Sequence, residues 1–149
     1  MKKMICLVLL LGFSITANAG PVRKYYLTTT QVNGNQTLPA CANGYHMASL
    51  WEILDTSNLK YNTNLGLTAD DSGFGPPNNV EGWIRTGGTS VNFAGVTGVD
   101  NCNAWTTTSG TGTTLFLPNI WTGSAKEISP WSGGVLSCNQ LRPVWCMEN

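Results

Sequence analysis

Charge is scarce in this chain. Only 11% of its 149 residues are Asp, Glu, Lys or Arg, and the formal net charge is zero. No basic stripe or cluster is available to neutralise a phosphate backbone or an acidic bilayer, so nucleic acid is not an expected partner. There is a single histidine, His46, which excludes a His-rich metal site or a His pair. As a lone base it would need a nucleophile, and the GxSxG elbow that exposes a catalytic serine is absent. The paired CxxC spacing of structural zinc sites is missing as well. Asp70-Asp71-Ser72-Gly73 lacks the alternating oxygens and terminal Glu of a calcium-binding EF-hand loop and reads as a solvated turn. Beyond the N-terminus no apolar stretch approaches the roughly 20 residues that a bilayer span requires.

What is present begins with an export signal over residues 1–19. Lys2 and Lys3 form a positive start, Ile5-Cys6-Leu7-Val8-Leu9-Leu10-Leu11 opens an apolar core running to about Ile15, and Ala17-Asn18-Ala19 is a small-x-small cleavage site before Gly20. The expected mature domain is 20–149, in the periplasm or outside the cell. Cleavage removes two of the eight cations and none of the eight acids, leaving a net charge of −2. No cysteine follows the cleavage site to accept a lipid. Asn35-Gln36-Thr37 fits a glycosylation sequon but reads as incidental behind a bacterial-style signal. The mature chain keeps four cysteines, Cys41, Cys102, Cys138 and Cys146. In an exported protein of this size they read as two disulfides, with three connectivities open.

The pattern along the chain predicts an α+β fold of one or two short helices and short antiparallel strands with long loops. Tyr25–Thr30 is aromatic and β-branched and reads as the first strand. Ser49-Leu50-Trp51-Glu52 has the form of a capping box. It predicts a helix from Leu50 to Thr56 or Asn58 that packs through Leu50, Ile53 and Leu54; a start near Tyr45 is the alternative. Leu65–Glu81 and Thr89–Asp100 read as loops. Further strands are expected at Gly82–Gly88, Asn103–Thr108, Thr114–Leu117 and Val144–Met147, with a turn at Ser109-Gly110-Thr111-Gly112.

Six tryptophans are many for such a domain. Trp51, Trp83 and Trp145 lie in predicted elements and are expected in the core, where each would bury about 150–250 Å². Trp121 and Trp131 lie in polar sequence between Cys102 and Cys138. Exposed there, an indole could stack on a sugar or a partner surface.

The order of these features resembles the C-type lectin-like fold. The residues that carry the resemblance are Cys41 near the first helix, Trp83-Ile84-Arg85, Asp100-Asn101-Cys102 after a long loop, and the closing run Cys138 to Cys146-Met147-Glu148. The chain is also similar to uncharacterised bacterial secreted members with Asn-Cys-x-x-Trp-Thr, here Asn101-Cys102-Asn103-Ala104-Trp105-Thr106, and a terminal Trp-Cys-x-Glu. The resemblance implies Cys41–Cys146 and Cys102–Cys138 pairing. The calcium-ligating triplets of the family's sugar binders are missing: the long loop reads Phe93-Ala94-Gly95-Val96, and Ser132-Gly133-Gly134 follows Trp131. No cofactor or metal is therefore expected. The expected function is a non-catalytic, calcium-independent module binding a glycan or protein, with Trp121, Trp131, Asn119 and Asn101 as candidate ligand-binding residues. The alternatives are a small secreted hydrolase using carboxylates and a structural subunit of a surface assembly.

Overall fold

A computed structural model describes residues 21–70, 72–88, 96–118 and 131–149. The expected signal segment and two candidate site residues, Asn119 and Trp121, lie outside them. Among these residues seven strands and two short α segments follow in the order β1 (Arg23–Leu27), β2 (Tyr45–Met47), α1 (Leu50–Leu54), β3 (Leu59–Tyr61), β4 (Gly82–Trp83), α2 (Cys102–Trp105), β5 (Thr111–Phe116), β6 (Ser132–Ser137) and β7 (Trp145–Glu148), with two 3₁₀ turns between them. They form a four-stranded sheet, β2-β7-β1-β3, and a three-stranded one, β4-β5-β6. The α+β class holds. Not every pairing is antiparallel, however: β3 joins β1 in parallel, Arg23 opposite Leu59.

The last strand organises the larger sheet. β7 lies between β1 and β2, with Tyr26 and Met47 both in register with Cys146. The two sheets join just upstream of it, where Trp83 N–H donates to Pro143 C=O at 2.8 Å. Trp83 and Trp145 are both fully buried. Each indole N–H finds a carbonyl, Val32 for Trp83 and Leu115 for Trp145, so neither burial strands a donor. At about 25 cal/mol per Å², burial of each indole contributes at most roughly 4–6 kcal/mol. Cys41 is bonded to Cys146 and Cys102 to Cys138, the pairing that the resemblance implied. Gly34 is fixed by the second bridge, because a Cβ there would lie 2.5 Å from Cys102 Sγ.

The capping box forms as expected and α1 begins at Leu50. Tyr45–Met47, the alternative helix start, is strand β2. Asp55 leaves helical geometry, and a single 3₁₀ turn over Thr56–Asn58 replaces the rest of the expected helix. One expected strand fails outright. Asn103–Thr108 is not a strand: Cys102, Asn103, Ala104 and Trp105 all have positive φ, 51° to 64°, so α2 is one left-handed turn. The Asn101 side chain accepts from Ala104 N–H at 3.0 Å and the Asn101 carbonyl from Trp105 N–H at 2.8 Å. Local capping and the disulfide thus override the β propensity of the threonines. The expected turn at 109–112 is shorter than expected: Ser109 and Gly110 make it, Gly110 at φ 82°, and β5 already starts at Thr111. No helix among the described residues is long and apolar enough to cross a membrane.

Candidate functional site

The five residues of α1 display rather than hide their largest side chain. Ile53 is fully buried, whereas Trp51 is 80% exposed and Leu54 51%. This corrects the expectation that Trp51 belongs to the core. The helical projection already contains the reason: Trp51 lies about 200° from Ile53, so a helix that buries Ile53 must present Trp51 outward. One turn further, Leu54 shares its side.

A polar network fixes the orientation of α1. The Glu52 carboxylate accepts from Ser49 N–H at 3.0 Å, Ser49 Oγ at 2.8 Å and Arg23 at 3.1 Å, and lies 2.9 Å from His46 Nε2. Burial alone would raise its pKa, but the bonds from Ser49, His46 and Arg23 outweigh burial and hold it at about 2. The residue types are those of a hydrolytic triad; the wiring is not. Ser49 Oγ donates to Glu52 and is not bonded to the imidazole, while His46 Nδ1 lies 2.7 Å from Asn149 Oδ1. Neither the serine nor the histidine is arranged for nucleophilic attack. A carboxylate held at about 2 is too acidic to keep a proton for general-acid work at neutral pH.

Beside the indole runs the chain after β4. A Cβ on Gly87 would lie 3.9 Å from Trp51 Nε1. Gly87 also lines a cleft of about 190 Å³ together with Arg85, Leu38, Asn101, Ala104 and Trp105. Leu38 at the rim is 48% exposed. One wall is therefore the left-handed turn of α2, whose four residues carry a cost of about 1–2 kcal/mol each for positive φ without glycine. Trp105 repays part of it by burying its indole edge-to-face on Trp83, 5.7 Å between centroids.

The remaining candidates are placed as follows. Asn101 lines this cleft but is 2% exposed, its carbonyl oxygen capping α2 and its amide donating to Gly88 C=O. Trp131 is not an exposed anchor. It is 6% exposed and meets Trp145 edge-to-face at 5.2 Å and Tyr25 at 6.5 Å. In the same cluster burial pushes the Tyr25 and Tyr61 phenols up to about 12, so both stay neutral. The carboxylate of buried Asp100 ties the loop before it to β5, accepting from Val96 N–H at 3.1 Å and Thr111 Oγ1 at 2.6 Å. Among the described residues no group of three or more His, Cys, Asp or Glu is placed to hold a metal ion.

Against family models, curated proteins and solved structures the chain finds no match.

Proposed function

We propose that this chain is an exported, non-catalytic binding module on a C-type lectin-like frame, acting in the periplasm or outside the cell and engaging a glycan or protein without calcium. The observation that carries the reading is the Trp51 indole, 80% exposed on a helix whose capping box and Glu52 network leave it little freedom to turn inward. A rigid exposed aromatic beside a small cleft offers contact area at low entropic cost, the economy that makes tryptophan a frequent interface anchor. The strained α2 turn in the cleft wall supports the same reading, since such strain concentrates at functional sites. First-to-last and middle cysteine pairing supports the frame. The carboxylates of Glu52 and Asp100 are engaged in structural hydrogen bonds, which leaves the hydrolase alternative without support from either.

The test is a glycan array and envelope cross-linking with the mature protein, run with and without chelator. Binding survives chelation, and Trp51→Ala abolishes it while the thermal midpoint stays within a few degrees of wild type. Unchanged binding by Trp51→Ala overturns the reading.

One observation favours assembly as a second reading. Among the described residues β6 is the outer strand of its sheet, six residues long, and carries no charge and no proline to discourage strand addition. Sedimentation over a wide concentration range separates the two: self-association that Val135→Lys suppresses supports assembly.

A further inference from the structure

On the opposite face of β1 from the Arg23 side chain lies an arrangement that the Trp51 surface does not use. Lys24 and Lys60 are direct partners across the parallel β1–β3 pair. Partners in register share a face, and neighbouring strands lie roughly 4.8 Å apart. Two exposed ammonium-bearing side chains therefore start side by side, a repulsive pairing. The β7 register continues the row, since Tyr25 opposite Met147 brings Glu148 opposite Lys24. The Glu148 carboxylate accepts from the backbone N–H of Lys24 at 2.9 Å. Among the described residues neither lysine enters an ion pair. A lysine on edge strand β3 discourages unwanted strand pairing, which accounts for Lys60 but not for Lys24 on an inner strand.

The two lysines line a cleft of about 330 Å³ that also takes in Thr63, Asn64 and Phe74. The volume falls at the lower end of small-ligand sites. Phe74 is 90% exposed at the tip of a turn closed by Gly75 N–H to Ser72 C=O at 2.8 Å and by Ser72 Oγ to Ala69 C=O at 2.9 Å. Asn62 is committed to the scaffold, its amide donating to Tyr45 and its carbonyl accepting from Asn64 N–H. Among the described residues the Thr63 and Asn64 side chains make no hydrogen bond, and both residues line the cleft.

We propose that this cleft binds an acidic saccharide, a sugar ring bearing a carboxylate or a sulfate. The anion lies between the Lys24 and Lys60 ammonium groups and relieves their repulsion. The apolar face of the ring packs on Phe74, its polarised C–H bonds against the negative face of the aromatic. Thr63 and Asn64 satisfy the ring hydroxyls. A bare phosphate has no use for the aromatic ring, and an acidic peptide brings its carboxylates on flexible stems without a flat apolar face. The proposal shares with the preceding section only the premise of a binding module. Its surface is separate, so its failure leaves the Trp51 test untouched.

The test is calorimetric titration of the mature protein with tetragalacturonate and with a heparin tetrasaccharide, alongside neutral galactotetraose, inorganic phosphate and tetraglutamate. One or both acidic tetrasaccharides bind saturably at low salt and more weakly at physiological salt, and galactotetraose does not bind. Phe74→Ala and the pair Lys24→Gln/Lys60→Gln each weaken binding by about tenfold or more, with thermal midpoints unchanged because all three side chains are exposed. The assignment is overturned if neither acidic saccharide binds, if phosphate or tetraglutamate binds as tightly, or if either variant retains full affinity.

Discussion

At the scale of single residues, Ser49 and Glu52 divide the work of the capping box unequally. The Ser49 Oγ contact with Glu52 N–H is long, 3.4 Å, whereas the carboxylate receives Ser49 N–H at 3.0 Å. Ser49→Gly keeps that second bond and should cost a few tenths of a kcal/mol; Ser49→Ala, which also disfavours the extended cap conformation, should cost about 1 kcal/mol. Urea midpoints measure both, and negligible losses in both would show that the hydroxyl contributes nothing. Glu52 makes the α1 attachment sensitive to acid. Its folded pKa, about 2, lies below its ordinary value of 4.5. Its contribution is therefore complete above pH 4.5 and is lost as pH falls through the window down to about 2. Thermal midpoints of wild type should fall across that window more steeply than those of Glu52→Gln, which has no proton to take up at this position. Parallel acid profiles would mean that other groups dominate.

At the scale of elements, α2 is the least expected. Ala104 is exposed and holds φ 53°, a conformation that costs an L-residue roughly 1–2 kcal/mol but glycine almost nothing. After allowance for the greater entropy of an unfolded glycine, Ala104→Gly should raise stability by up to about 1 kcal/mol, read from the urea midpoint at constant m-value. A loss would mean that the methyl group has a packing role. The same element marks where sequence reasoning stops. The capping box lies within four residues and is legible, as is the core role of Trp83 and Trp145. The left-handed turn depends on Asn101 and on the bridge from Cys102 to Cys138 across 36 residues, neither of which is visible beside the β propensity of Thr106-Thr107-Thr108. β6 escaped for the converse reason. Gly133 and Gly134 look like loop, yet side chains around them leave little room: a Cβ on Gly133 would lie 2.6 Å from Thr97 Cγ2, and one on Gly134 2.9 Å from Thr114 Oγ1. Of the candidate site residues, Trp131 misled because its polar sequence neighbours are not its neighbours in space, which are Tyr25 and Trp145. Trp51 is legible in principle: its place in a predicted element points to the core, but its angular position opposite Ile53 turns it outward.

At the scale of the whole molecule, the two disulfides tie different things. Cys41–Cys146 fastens the loop before β2 to the central strand of the larger sheet across 105 residues, and Cys102–Cys138 fastens α2 to the end of β6 across 36. In the chain-entropy account these loops are worth roughly 4.8 and 3.8 kcal/mol. Two local effects modify the shorter bridge. Its sulfurs are fully buried against Gly34 and Gly112, so removing them leaves a cavity and adds to the loss. Freed from Cys138, Cys102 can also leave its φ of 53°, which gives back about 1–2 kcal/mol. These terms oppose each other at similar size, and loop length decides the order. Cys41→Ala/Cys146→Ala should therefore lose about 1 kcal/mol more than Cys102→Ala/Cys138→Ala. Urea denaturation of the two double variants measures the difference, with the m-value checking that the unfolded states are comparably expanded. The reverse order would mean that close packing of Gly34 and Gly112 around the inner bridge outweighs both the longer loop and the strain released at Cys102.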